Sequence, residues 1–205
     1  MPRRQDIDMT SQADFLQGLI EKLGRQNIPY MLSGSVSSSL HGQPRATKDV
    51  DIVITPTERQ LLHFAESFGE GYYVSLEAVR EAFAHNSTFN VIDNQSGWKA
   101  DFIIRKDRPF SKKEFERRCT AKIKQLDVWV TSPEDIILSK LEWAKDSRSE
   151  QQFRDALGVA MVQGDRLDKD YLHKWAKELQ VENTLKQLLK KAKKLLGSKQ
   201  ETKFE

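Results

Sequence analysis

Apolar positions change their period several times along this chain. From Ser11 to Gln26, Phe15, Leu19, Ile20 and Leu23 recur every three or four residues, which predicts an amphipathic helix stopped by Asn27-Ile28-Pro29. Tyr30-Met31-Leu32 predicts a short buried strand, closed by Ser33-Gly34-Ser35. A helix-compatible stretch from Val36 to His41 ends at Gly42 and Pro44. Asp49 to Ile54 alternates and is rich in β-branched residues, so it predicts a strand, closed by Thr55-Pro56. Thr57 caps a helix carrying Leu61, Leu62, Ala65 and Phe68, which Gly69 and Gly71 terminate.

Ser75 starts a further short helix running to Ala84. Thr88–Ile92 and Lys99–Ile104, joined by Asp93-Asn94-Gln95-Ser96-Gly97, have the pattern of a hairpin. Ile123, Leu126, Val128 and Val130 mark another strand pair within Ala121–Val130. After Ser132 every segment has helical period and strand signals cease. The expected fold class is α+β. A small mixed sheet with helices occupies residues 1–131, and an all-helical C-terminal domain occupies residues 132–205.

Composition narrows the function classes. The 205 residues, 38% of them hydrophobic, suffice for one sizeable core or a domain with a helical appendage. No apolar run approaches the roughly 20 residues that cross a bilayer. Arg3 and Arg4 are followed by no apolar segment, so Met1–Thr10 does not read as a secretory signal. Cys119 is the only cysteine, which excludes an internal disulfide framework and a multi-cysteine zinc site. A reducing, cytoplasmic setting without membrane attachment fits these features.

The net charge of +3 is unevenly spread: Lys186, Lys190, Lys191, Lys193, Lys194, Lys199 and Lys203 crowd the last stretch. Leu185, Leu188, Leu189, Ala192, Leu195 and Leu196 recur between them at helical spacing. The lysines therefore read as the solvated face of a packing helix, with an RNA-binding patch as the alternative. His41, His63, His85 and His173 show no metal-ligand spacing, and the four tryptophans are too scattered for a base-stacking platform.

Chemistry concentrates in Asp49-Val50-Asp51. Strand side chains alternate, so both aspartates share one face while Val50, Ile52 and Ile54 turn to the core. Two carboxylates held together repel, and a cation relieves the repulsion. Their hard oxygens suit magnesium, which binds few protein groups together with substrate phosphates. Asp101 faces opposite to Ala100, Phe102 and Ile104. It joins the same face if its strand lies beside the first. A bare Asp-x-Asp also fits an edge strand guarded by acids. The upstream loop favours the metal reading. Gly34-Ser35 follows a strand and opens a helix whose free N–H groups attract phosphate oxygens, and Arg45 and Lys48 add positive charge before the aspartates.

From Gly34 to Asp51 the chain resembles the nucleotidyltransferase superfamily with a polymerase-beta-like core. That core carries a Gly-Ser or Gly-Gly motif, paired acids, and a third acid on a neighbouring strand. Gly42-Gln43-Pro44-Arg45-Ala46-Thr47-Lys48-Asp49-Val50-Asp51 is similar to the G-x-x-R-x-T-x-D-h-D pattern, with h apolar, of a stand-alone bacterial branch. That branch includes AbiEii-type abortive-infection toxins. The likeness continues through Ser132–Leu141 and Arg154-Asp155, covering roughly residues 30–160.

The resemblance implies that residues 1–131 are the nucleotidyltransferase core. It also implies a magnesium-dependent enzyme, with manganese as a substitute, that moves an NMP from an NTP to a hydroxyl of RNA such as tRNA, of protein or of a small molecule. A toxin role with an antitoxin partner protein goes with the branch. Asp49, Asp51 and Asp101 would be the catalytic and metal-binding acids, and Gly34, Ser35, Arg45, Lys48, Lys140 and Asp155 the nucleotide-binding set.

Lys140 lies within the apolar stripe Ile136, Ile137, Leu141, Ala144. Its ammonium must therefore snorkel to water or meet an anion. Asp155 shares a stripe with Val159 and Val162 and needs a partner in the same way, with Lys140 or Arg148 as the candidates. Two other classes remain open: a non-catalytic nucleotide-binding regulator, and an RNA-binding adaptor using the C-terminal lysines.

Overall fold

The structure is a computed structural model that describes residues 11–201, with side chains described through residue 197. Arg3, Arg4, Lys203 and the side chain of Lys199 lie outside the described residues. The elements begin with α1 (Gln12–Arg25), β1 (Tyr30–Leu32), α2 (Gly34–His41), β2 (Asp49–Ile54), α3 (Glu58–Glu66), β3 (Tyr72–Tyr73) and α4 (Leu76–His85). Next come β4 (Thr88–Asp93), β5 (Lys99–Ile104), α5 (Pro109–Glu116), β6 (Cys119–Ile123) and β7 (Leu126–Val130). Four helices follow: α6 (Pro133–Ser147), α7 (Glu150–Gln163), α8 (Lys169–Glu178) and α9 (Glu182–Glu201).

The strands form a seven-stranded mixed sheet in the order β3-β4-β5-β2-β1-β7-β6. β2 runs parallel to β5 and β1 parallel to β7, while β4 is antiparallel to both β3 and β5. The α+β class with a mixed sheet is the one the sequence predicts. Two short elements, β3 and α5, have no counterpart among the predicted ones. α2 starts at Gly34 rather than Val36, and α3 stops at Glu66, before the glycines expected to end it.

The chain divides into two compact units, neither continuous in sequence. One comprises Met1–Tyr30, Lys48–Lys106 and Lys122–Asp127; the other comprises Met31–Thr47, Asp107–Ala121 and Val128–Glu205. In the first unit, capping boxes at Ser11/Asp14 and Thr57/Gln60 satisfy free N–H groups at the starts of α1 and α3. Phe15, Leu19 and Leu23 are fully buried, as are Val50, Ile52 and Ile54 of β2. Phe102 of β5 stacks on Phe89 at 5.2 Å and meets Phe64 edge-on at 5.0 Å. Core residues thus fill one parity of β2 and β5, and the other parity begins with the polar Asp49, Asp51, Lys99 and Asp101 before Val53 and Ile103.

The second unit is mostly helical. Ser132 caps α6 by accepting from the Asp135 N–H, with Pro133 at the first helical position. Its core joins Ile136, Ile137 and Leu141 of α6, Val159 of α7, Leu172 of α8, and Leu185, Leu188 and Ala192 of α9. Lys186, Lys190, Lys193 and Lys194 are exposed on α9, as a solvated face requires. Polar groups are also buried here. Arg117 pairs with Glu134 and Asp135, and the Tyr171 hydroxyl donates to Asp135 at 2.6 Å. Among the described residues Glu114 of α5 forms no ion pair, and the Ser139 hydroxyl donates to it at 2.7 Å. Burial pushes the Glu114 carboxyl up to about 8, against the pull of the Ser139 hydrogen bond. Among the described residues no helix is long and apolar enough to cross a membrane.

Candidate functional site

In the first unit, β2 and β5 pair in register, with Asp49 opposite Lys99, Asp51 opposite Asp101, and Val53 opposite Ile103. The exposed-to-buried alternation of β2 turns Asp49 and Asp51 to one face and Val50, Ile52 and Ile54 to the other. β5 repeats the pattern: Lys99 and Asp101 are half-buried, whereas Ala100 and Phe102 are buried. The three aspartates predicted as a cluster therefore share one face of neighbouring strands. The register produces this juxtaposition, because residues directly across from one another on neighbouring strands project to the same face.

The same face carries a residue absent from the predicted set. Lys99 Nζ lies 3.2 Å from Asp101 Oδ2 and 3.8 Å from Asp49 Oδ1. Partial burial works against its charge. The hydrogen bond that Lys99 donates to Asp101 and the fields of Asp101, Asp49 and Asp51 outweigh this and hold its pKa above the ordinary lysine value. The parity of β5 was a sufficient signal for Lys99, since it stands two residues before Asp101.

Two observations bear on a divalent cation here. Asp101 Oδ1 is buried and has no hydrogen-bond partner. An orphaned carboxylate oxygen carries a desolvation penalty that a cation or a hydroxyl donor would remove. Second, an ammonium is already drawn to two of the carboxylates, so the face favours positive charge. As the side chains stand, no three His, Cys, Asp or Glu groups among the described residues are gathered around one ion position. The donors suit magnesium in charge and hardness, and their convergence is incomplete with Lys99 seated between Asp49 and Asp101.

In the second unit, Gly34 opens α2 with φ of +56°, a left-handed conformation that favours glycine, which accounts for glycine at the turn. Ser35 is buried, and its hydroxyl donates to Thr47 Oγ1 at 3.0 Å. Ser37 donates to the Leu32 carbonyl at 2.7 Å, and His41 Nε2 donates to the Thr131 carbonyl at 2.8 Å, so α2 is fastened along its length. Burial lowers the His41 pKa, partly offset by the Thr131 bond, which favours a neutral ring. At Gly42 a Cβ would stand 2.7 Å from the Val159 N, so only glycine lets the loop lie against α7.

Lys140 and Asp155 meet each other. Their side chains are 4% and 5% exposed, and Lys140 Nζ lies 3.0 Å from Asp155 Oδ2. Arg45 donates through Nε to Asp155 Oδ1 and through Nη2 to Oδ2, each at 3.2 Å, and Gln151 donates to Oδ1 at 2.7 Å. Burial would raise the Asp155 pKa, but the Lys140 bond and charge, then Arg45 and Gln151, hold it below the usual carboxylate range. Among the predicted partners of Asp155, Lys140 is the one found. Arg148 instead ends α6 in a left-handed conformation, exposed to solvent. Lys48 is exposed. Sequence spacing gave no signal for the Arg45–Asp155 contact, which joins positions 110 residues apart.

No family model and no curated protein matches the sequence. Among solved structures, the solution structure of the antibiotic-resistance factor ANT(2'')-Ia is similar over 83% of this chain and 94% of its own. The identity is 14% and the TM-score 0.58. A crystal structure of ANT(2'')-Ia in complex with adenylyl-2''-tobramycin is similar over 82% and 97%, at 15% identity and TM-score 0.53. An antigenic nucleotidyltransferase-like protein from Paracoccidioides brasiliensis is similar over 86% and 90%, at 18% identity and TM-score 0.52. At these identities the likeness shows a shared fold.

Proposed function

We propose that this chain is a magnesium-dependent nucleotidyltransferase that moves an NMP from an NTP to an acceptor hydroxyl, releasing pyrophosphate. The observation that carries this reading is the in-register pairing of Asp51 with Asp101, on the face that also holds Asp49, with Asp101 Oδ1 buried and unpaired. The fold shared with ANT(2'')-Ia supports it, since that protein is known in complex with an adenylyl group joined to tobramycin.

Asp49, Asp51 and Asp101 would hold magnesium, or manganese in its place. The bound ion supplies positive charge that screens the phosphates and lowers the barrier to in-line displacement. Asp101 Oδ1 accepts the hydrogen bond, and then the proton, of the attacking hydroxyl as its oxygen forms the new P–O bond and the bond to pyrophosphate breaks. Gly34 and Ser35 offer backbone N–H groups at the start of α2 to phosphate oxygens. Arg45 and Lys48 add charge-assisted donors. Lys140 and Asp155 act as positioning residues, fixing the plane of the Arg45 guanidinium through its two bonds to Asp155.

The test is to incubate the protein with each α-labelled NTP, magnesium and three acceptor pools: total RNA, protein extract, and small hydroxyl compounds including aminoglycosides. Label should pass to one pool with the parent and to none with Asp51→Ala. No transfer to any pool would overturn the proposal. The likeness of residues 42–51 to AbiEii-type toxins supports a toxin role with an antitoxin partner. Growth arrest on expression, relieved by Asp51→Ala, would support that narrower assignment; unimpaired growth alongside measurable transfer would remove it.

A further inference from the structure

The metal reading leaves Lys99 unexplained. An ammonium at 3.2 Å from one proposed ligand and 3.8 Å from another stands against the oxygens that a divalent cation needs. Lys99 belongs to the site by construction. It lies on the same parity of β5 as Asp101 and is paired in register with Asp49. Its side chain is 30% exposed, and those of Asp49 and Asp101 are 54% and 22% exposed. Ion pairs with this much access to water are weak and exchange readily. The ammonium is therefore held reversibly, and its outer end can return to solvent.

We propose that Lys99 is a built-in competitor for the divalent cation: its ammonium pairs with Asp49 and Asp101 until metal binds, and it must leave before the carboxylates can converge on an ion. This inference rests on the nucleotidyltransferase reading and adds a regulatory element to its site. Competition of this kind lowers apparent affinity by the fraction of molecules in which the site is open. If the ammonium is seated about nine-tenths of the time, metal binds roughly tenfold more weakly than to the bare carboxylates. Without metal the ammonium offsets one of the three carboxylate charges, and free cation at low concentration does not displace it.

The experiment measures manganese binding to the full chain by electron paramagnetic resonance, without nucleotide, for the parent, Lys99→Met, Lys99→Arg and Asp51→Ala. Lys99→Met should bind manganese about tenfold more tightly than the parent, Lys99→Arg no more tightly than the parent, and Asp51→Ala much more weakly. A second measurement needs no variant. In the parent, saturating manganese should raise the rate at which Lys99 is acetylated, read by mass spectrometry, several-fold over exposed lysines such as Lys113. Equal affinity of Lys99→Met and parent, with Lys99 acetylation unchanged by metal, would overturn the competitor role and leave the carboxylate reading standing. Absence of manganese binding in the parent and in Lys99→Met alike would overturn both.

Discussion

Lysine meets aspartate twice in this molecule at nearly the same distance, in opposite settings. Lys99 lies 3.2 Å from Asp101 with side chains 30% and 22% exposed, whereas Lys140 lies 3.0 Å from Asp155 with both side chains at or below 5% exposure. Geometry alone would rank them equal. Solvent separates them: a partly exposed pair is screened and is worth about 1 kcal/mol, while removing one partner of a buried pair strands an uncompensated charge. The first arrangement is the one that, under the proposal, would give up its lysine for another cation. The second cannot, and it ties α6 to α7 while holding the Arg45 loop.

The largest expected effect tests the open member of this pair of sites. Asp51→Ala should reduce transfer at least about ten-thousandfold, roughly 5.5 kcal/mol of transition-state stabilisation, with the melting temperature nearly unchanged because a carboxylate repulsion is relieved. Asp101→Asn should reduce turnover by a comparable factor while magnesium–NTP affinity stays within about tenfold. Single-turnover transfer and calorimetry on the same preparation check both. Parent-like turnover in either variant would end the assignment of these acids.

The buried member should respond in the opposite way. Asp155→Ala leaves Lys140 charged in the core and should remove about 3–5 kcal/mol of stability, lowering the melting temperature by roughly 10 °C. Urea unfolding gives the value directly. A variant as stable as the parent would mean that water reaches Lys140 and that the burial contrast is false.

Glu114 sharpens the contrast from a third direction, as a buried acid that forms no ion pair among the described residues. Its folded pKa of about 8 lies above the unfolded value of 4.5. Between these values the folded chain holds a proton that the unfolded chain has lost. Stability should therefore fall as pH rises through this window and be constant for this group on either side. Water penetration on ionisation limits the loss, which we expect to be on the order of 2 kcal/mol. Urea midpoints across the window should decline for the parent and stay flatter for Glu114→Gln.

Parity made most of the open site legible in the sequence. Alternation in Asp49–Ile54 and Lys99–Ile104 assigned every side chain to its face, and Lys99 could have been included by the same rule. What parity could not supply was the partner of β5 across the sheet, since β2 and β5 are separated by α3, β3, α4 and β4. The buried site was half legible. Helical stripes marked Lys140 and Asp155 as buried charges in need of partners, but Arg45 comes from a loop with no periodicity to read. β3 is two residues long and α5 two turns, too short for any period to show.

The smallest effect is expected at Lys140, and it separates a positioning lysine from one that binds phosphate. Lys140→Met removes the ammonium but leaves Asp155 with two bonds from Arg45 and one from Gln151. The carboxylate is therefore still compensated, unlike the lysine in Asp155→Ala. Methionine also places an apolar side chain among Ile136, Ile137 and Leu141, which recovers part of the lost pairing. We expect a stability change of about 1 kcal/mol or less, since a compensated charge bears little of the penalty for an unpaired one. NTP affinity should fall less than about threefold, because the lysine acts only through Asp155 and Arg45. Calorimetry with a non-hydrolysable NTP and urea unfolding on the same variant give both values. A tenfold or greater loss of affinity with unchanged stability would show that Lys140 leaves Asp155 to meet the phosphates, and that the buried pair is no more fixed than the exposed one.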